Sequence, residues 1–216
     1  MHNRDKNLND IRRDYNSQGL NEASMMQDPL DQFDFWLDEV LETDILDPLA
    51  ATLATVNTSG VPSARIILIK EIDKEGFIFY TNYSSKKGYD VSQNPTVCLN
   101  FFWDILDRQV RITGTIKKIE EEKSKAYFHS RPRESQIMAT ASPQSSAIPN
   151  RAHLDTAYLD MESTLDGRDV PLPENWGGYK IIPYEVEFWQ GRPSRLHDRV
   201  LYTHKDGEWT KTRLAP

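Results

Sequence analysis

Hydrophobic and polar positions along this chain change period several times, and each change predicts an element. Residues 1–27 are polar with little periodicity, which predicts a mobile segment or one ordered by a ligand or partner. Asp28-Pro29 reads as an N-cap followed by proline at the first helical position. Leu30, Phe33, Leu37, Val40 and Leu41 then form one helical stripe that ends near Thr43. From Ala50 the period falls toward two. Strands are predicted over 51–56, 63–70 and 77–81, with turns at Asn57-Thr58-Ser59-Gly60 and Asp73-Lys74-Glu75-Gly76. A short helix over 84–93 closes at Asn94-Pro95, and strands follow over 96–103 and 108–119. In the second of these Val110, Ile112 and Ile116 share one face, and Gln109, Arg111 and Thr113 the other.

The pattern then turns helical, over 120–130, from Arg133 to Thr140 after a break at Pro132, and over 151–165. A proline-rich connection spans 167–178. Strands return at 179–182, 185–190, 199–204 and 208–213, with Lys205-Asp206-Gly207 as a hairpin turn. Antiparallel-style strands with interposed helices predict an α+β protein built on a β-barrel. Helices and strands do not alternate regularly, and no Gly-rich fingerprint follows a strand, which argues against a Rossmann fold. The expected organisation is an N-terminal segment, 1–27, followed by one domain over 28–216.

Composition narrows the partners. The 216 residues carry a net charge of -7, so a nucleic-acid partner is not expected and any cationic site must be local. A lone cysteine, Cys98 in an apolar run, excludes an internal disulfide framework and reads as a buried structural thiol. His129, His153 and His204 show no metal-ligand spacing, so no metal is expected. Met1-His2-Asn3-Arg4-Asp5 has no apolar secretory core, and no stretch approaches the ~20 apolar residues of a spanning helix. A soluble, cytoplasmic protein without a membrane partner is the expectation.

Candidate chemistry sits in five segments. Arg195-Leu196-His197-Asp198-Arg199, if extended, places Arg195, His197 and Arg199 on one face, a set of donors suited to an anion. The alternative is a surface strand with an Arg–Asp pair. Arg65-Ile66-Ile67-Leu68-Ile69-Lys70 carries a cation at each end, but strict alternation puts the two on opposite faces unless a twist or bulge intervenes. Tyr80-Thr81-Asn82-Tyr83-Ser84-Ser85-Lys86-Lys87 runs from a strand into a helix start, where hydroxyls, N–H groups and ammonium groups converge as at many phosphate sites. Solvated lysines are the alternative. Tyr127 and Arg131 are four apart on a helix end, and Ser135 lies a turn further past Pro132, so the three can clasp a second phosphate. An ordinary capping region is the alternative there. Ser142-Pro143-Gln144-Ser145-Ser146 is a polar loop that says little alone.

Taken together these segments resemble the pyridoxine/pyridoxamine 5′-phosphate oxidase family. The resemblance runs from about Arg12 to Arg213-Leu214-Ala215-Pro216. Its most specific strings are residues 65–70, Tyr127-Phe128-His129-Ser130-Arg131-Pro132-Arg133, Gln144-Ser145-Ser146, Trp176-Gly177-Gly178, and Phe188-Trp189-Gln190-Gly191 with residues 195–199. It implies an FMN-binding split β-barrel forming a homodimer, with FMN in clefts between subunits. It implies oxidation at the 4′ carbon of pyridoxamine or pyridoxine 5′-phosphate to pyridoxal 5′-phosphate, with hydride passing to flavin N5, O2 as final acceptor and H2O2 as by-product.

Carried onto this sequence, the family's FMN contacts fall on Arg65, Ile66, Lys70, Tyr80, Thr81, Lys86, Lys87, Gln109, Gln144, Ser145, Trp189 and Arg199. Its substrate-phosphate contacts fall on Lys70, Tyr127, Arg131 and Ser135. Arg195 and His197 match the positions against the substrate ring, where they serve as the catalytic pair. Arg12 and Tyr15 match an N-terminal segment that closes over the substrate. Lys86 departs from the family, which often has arginine there; lysine keeps the charge but loses bidentate geometry. Two phosphate esters explain two cationic clusters in an acidic protein, and flavin leaves positioning as the protein's main task. Arg195 is a poor general base, whereas His197 suits proton transfer or orientation. The rival readings are a flavoprotein or pyridoxal 5′-phosphate carrier without turnover, and a flavin reductase using nicotinamide.

Overall fold

A computed structural model describes Tyr15 and residues 19–216. Arg12 lies outside the described residues. The elements run α1 (Pro29–Leu41), β1 (Ala50–Val56), β2 (Pro62–Leu68), β3 (Glu71–Asp73), β4 (Gly76–Asn82), α2 (Lys86–Gln93), β5 (Thr96–Trp103), β6 (Arg108–Lys118), α3 (Glu121–Ser130), α4 (Arg133–Ala141), α5 (Arg151–Leu165), β7 (Trp176–Gln190), β8 (Asp198–Lys205) and β9 (Glu208–Leu214). Among the described residues the strands form a sheet of order β2-β1-β5-β6-β7-β4-β3, with β8 paired to β7 and β9 to β8. The pairs β1–β2, β1–β5, β3–β4, β4–β7 and β8–β9 are antiparallel.

The chain divides into two compact units. One comprises residues 49–101 and 111–185. Its apolar face collects Leu53, Phe77, Phe79, Leu99, Phe101, Ile112 and Ile181, all buried. A second apolar cluster under its helices joins Phe128, Ile137, Leu165, Val170 and Trp176. The start of α2 is fixed by Ser85, whose hydroxyl accepts the Gly88 N–H at 3.3 Å. Gly88 itself allows a close approach: a Cβ there would lie 2.0 Å from the Tyr83 carbonyl oxygen.

The other unit comprises the described residues up to 48, with 102–110 and 186–216. Asp28 caps α1 by accepting the Leu30 N–H at 2.8 Å, as the Asp-Pro signal predicts. Trp36 stands edge-on to Phe188 at 5.0 Å, and Phe33 packs on Trp103 at 5.5 Å. The stripe of α1 therefore includes Trp36, while Leu41, expected on it, is exposed. The β8–β9 hairpin closes with Asp206 and Gly207 both at positive φ, the combination that the twist of a two-residue hairpin favours. Residues 20–26 are tied to it: Leu20 N–H donates to Asp198, Tyr202 Oη–H to the Met26 carbonyl, and Lys211 Nζ to the Glu22 and Met25 carbonyls.

Three further local expectations change. The strands expected at 179–182 and 185–190 are one strand, β7, running through Pro183. Residues 71–73 form β3, a strand that the turn signal at Asp73 hid. Cys98 is half-buried rather than buried.

Candidate active site

In the unit of residues 49–101 and 111–185, one cavity of about 1400 Å³ gathers most of the expected ligand contacts. Arg65, Ile66, Lys70, Tyr80, Thr81, Lys86, Lys87, Tyr127, Arg131, Ser135, Gln144 and Ser145 all line it. Arg65 and Lys70 share it because strict alternation stops: β2 ends at Leu68, and the Lys70 N–H turns to the Ile78 carbonyl at 2.8 Å. The twist or bulge required by the sequence is thus a strand break between β2 and β3.

The cations are held in distinct ways. Arg65 Nη1 donates to the Leu53 carbonyl at 3.1 Å and to Thr55 Oγ1 at 2.8 Å. Burial lowers its pKa, with Asp90 opposing. Lys87 is 8% exposed. Its ammonium donates to Thr81 Oγ1 at 3.1 Å and Ser85 Oγ at 3.4 Å, hydroxyls rather than carboxylates. Burial lowers the Lys87 pKa, and the Arg65 charge adds to that. A buried ammonium partnered by neutral groups favours an incoming anion. Thr81 passes its own hydrogen to Gln144 Oε1 at 3.1 Å, which also accepts the Asn82 N–H at 3.3 Å. That contact fixes the Gln144–Ser145 loop, in which Ser145 adopts a positive φ of 72°.

At the other cluster in this cavity, Tyr127 stacks on Tyr80 at 3.8 Å between centroids, and Trp176 lies parallel to both, 5.7 Å from Tyr80 and 6.3 Å from Tyr127. The Arg131 guanidinium lies 5.0 Å from the Trp176 ring. Gln136 Nε2 donates to the Arg131 carbonyl at 2.7 Å and fixes the break at Pro132. Arg131 Nη1 is buried without a hydrogen-bond partner, so this donor is available to an anion in the cavity. Burial pushes the Tyr80 phenol up to about 12, helped by Glu71, Tyr127 and Tyr83, so the phenol stays a neutral donor. Burial likewise raises the Tyr127 phenol, against Arg131. The sequence marks Trp176 only as part of a family string and gives no sign of its place as the platform under Arg131. A tryptophan opening a strand carries no local signal of that kind.

The remaining expected residues belong to the other unit. Gln109 lies half-buried in β6. Trp189, His197 and Tyr15 form an aromatic group: Trp189 and His197 lie 4.8 Å apart, and Tyr15 meets both edge-on, at 5.9 Å from Trp189 and 5.3 Å from His197. Gly191 makes room for Tyr15, since a Cβ there would lie 2.6 Å from the Tyr15 ring. The condition that Arg195–Arg199 be extended throughout is not met: the strand begins at Asp198, one residue before the expected start at Arg199. Residues Pro193–Arg195 form a short 3-10 turn, with Ser194 and Arg195 both at positive φ, 57° and 61°. Arg195, His197 and Arg199 therefore do not share one strand face, because the left-handed turn interrupts the alternation. Arg195 is exposed, and Arg199 turns to Glu187 at 2.8 Å and the Ala215 carbonyl at 2.9 Å.

Comparison with known proteins bears on the family and the fold. Residues 37–163 match the family model described as pyridoxamine 5′-phosphate oxidase, and residues 176–216 match the pyridoxine 5′-phosphate oxidase C-terminal dimerisation region. A curated pyridoxine/pyridoxamine 5′-phosphate oxidase of Leptospira interrogans is 47% identical over 213 residues, covering 98% of this chain and 100% of the relative. Among solved structures, PhzG from Burkholderia lata in complex with tetrahydrophenazine-1-carboxylic acid superposes with a TM-score of 0.86 at 27% identity, over 93% of this chain and 99% of that one. A pyridoxamine 5′-phosphate oxidase-related, FMN binding protein from Nostoc punctiforme gives 0.70 at 17% identity, over 89% and 100%. The fold is the expected split β-barrel with flanking helices. Among the described residues no helix is long and apolar enough to cross a membrane.

Proposed function

Because this chain belongs to the pyridoxine/pyridoxamine 5′-phosphate oxidase family, we propose that it is an FMN-dependent oxidase that converts pyridoxamine or pyridoxine 5′-phosphate to pyridoxal 5′-phosphate. The observation that carries this reading is a cavity with two separate anion-binding clusters. One is Arg65, Lys86 and Lys87 with Thr81; the other is Arg131, whose Nη1 lacks a partner, with Tyr127 and Ser135. A drug-sized ligand needs about 300–1000 Å³, so about 1400 Å³ is room for more than one ring system. FMN and the substrate are both phosphate esters, and the donor set fits both.

Bound FMN would supply a two-electron acceptor for the hydride of substrate C4′, and O2 would reoxidise it with formation of H2O2. The chain binds and orients. Arg65, Lys86 and Lys87 take the FMN phosphate; Ile66, Lys70, Tyr80, Thr81, Gln144 and Ser145 contribute to its site, as do Gln109, Trp189 and Arg199. Lys70, Tyr127, Arg131 and Ser135 take the substrate phosphate. Arg195 and His197 orient the substrate ring, and Tyr15, edge-on to His197, stands beside them. The dimerisation region at 176–216 makes the working form a homodimer, with FMN at the subunit interface.

The purified protein is expected to be yellow. Pyridoxamine 5′-phosphate should bleach the flavin without oxygen, and air should restore the colour with release of H2O2. A colourless protein that FMN cannot reconstitute would overturn the oxidase reading. Bleaching by NADPH and not by the B6 substrates would make it a reductase. A yellow protein that neither bleaches would be a carrier.

A further inference from the structure

Asp90 lies on α2 one turn after Lys86 and is 1% exposed. Its carboxylate accepts the Thr55 hydroxyl at 2.7 Å and the Lys86 ammonium at 3.3 Å, and stands 3.8 Å from Arg65 Nη2. Thr55, fully buried, accepts from Arg65 Nη1 at 2.8 Å. One buried carboxylate thus reaches Arg65 twice, directly and through a hydroxyl, and reaches Lys86 as well. Arg65 and Lys86 line the cavity, while Asp90 and Thr55 stand behind it. Burying a carboxylate is costly, and an apolar side chain would serve if the position had only to pack. The geometry has a use in a site whose cations repel one another: the Arg65 charge already depresses the Lys87 pKa, after burial.

We propose that Asp90 is a positioning residue for the cofactor phosphate, anchoring Arg65 and Lys86 at the cavity wall before the anion arrives. The proposal rests on the FMN reading above and adds a residue to it. Asp90 does not touch the phosphate. It acts through the two cations, and Thr55 relays its hold on Arg65.

Riboflavin, which lacks the phosphate, isolates this role. Affinities for FMN and riboflavin are measured from flavin fluorescence released on dilution of the loaded protein, for wild type, Asp90→Asn, Asp90→Glu and Thr55→Val. Asp90→Asn is expected to weaken FMN about tenfold while riboflavin stays unchanged, as loss of charge-assisted hydrogen bonds predicts. Asp90→Glu should recover part of that loss. Thr55→Val, which removes the relay but no charge, should weaken FMN alone by about threefold, and it carries the test if Asp90→Asn does not fold. FMN binding to Asp90→Asn as tight as to wild type, or tighter, overturns the proposal, as does equal loss of FMN and riboflavin. A wild-type protein that binds FMN and riboflavin equally overturns the phosphate assignment beneath it.

Discussion

The backbone N–H of Arg192 donates to His197 Nδ1 across 3.1 Å. In a neutral ring this leaves the hydrogen on Nε2, so His197 presents a donor on the side away from Arg192. The side-chain amide of glutamine reproduces a donor at that distance, whereas asparagine reproduces only the acceptor near Nδ1. His197→Gln is expected to keep anaerobic flavin reduction by pyridoxamine 5′-phosphate within about tenfold of wild type, and His197→Asn to slow it about 100-fold. The reverse order in single-turnover traces would mean that the Arg192 contact is the whole role of the ring.

Arg199 pairs with Glu187, which is 2% exposed, at 2.8 Å. Breaking a buried pair on one side is costly, and the Arg199 side chain is 27% exposed, which places the cost at the low end. Arg199→Met is expected to destabilise the protein by about 3 kcal/mol, and the double variant with Glu187→Gln by less. Urea midpoints of the two variants check the order.

Lys87 is a case in which binding opposes stability. Its folded pKa lies below 10.5, because burial and then Arg65 disfavour the charge. Below that pKa the folded state bears the cost of a buried ammonium, and the cost fades as pH rises toward 10.5. Lys87→Met should leave the flavin-free protein as stable as wild type or more so near neutral pH. The same variant should weaken FMN by about tenfold or more. Thermal melts and flavin titration read the two effects separately.

The anchor of residues 20–26 should respond to acid. Arg213 hydrogen-bonds Glu22 at 2.5 Å and Asp198 at 2.5 Å. The Arg213 hydrogen bond holds the Glu22 carboxyl at about 2. Burial raises the Asp198 carboxyl, but Arg213, the Leu20 N–H and Arg192 together leave it lowered. Both folded values lie below the unfolded ones, so this stabilisation is complete above pH 4.5 and is lost as pH falls toward about 2. Glu22→Gln should flatten that part of the stability profile, measured by denaturant unfolding across the window.

Trp176 supports Arg131 through its ring face. Trp176→Leu removes that face and should raise KM for pyridoxamine 5′-phosphate about fivefold, as the loss of a cation–π contact predicts. Flavin content should not change. Equal losses of flavin and substrate binding would instead point to a general collapse of the cluster around Phe128 and Trp176.

Much of this was local and so legible in the chain. The Asp28-Pro29 cap, the alternation of Val110, Ile112 and Ile116, the break at Pro132 and the Asp206-Gly207 turn are each set by residues a few positions apart. Nearest-neighbour sterics and short-range hydrogen bonds act there with little help from the rest of the molecule. The five segments of candidate chemistry, and the family they resemble, were legible for the same reason: their residue types and order are covalent facts.

Tertiary structure decided what those residues face. Strict alternation separated Arg65 from Lys70, and the β2–β3 break put both in one cavity. Alternation joined Arg195, His197 and Arg199, and the left-handed turn at Ser194 and Arg195 parted them. Asp90 and Trp176 acquired their roles from partners 25 and 45 positions away, Arg65 and Arg131. A buried charge or an aromatic platform is defined by what packs on it, and packing across such separations carries no mark in the local pattern.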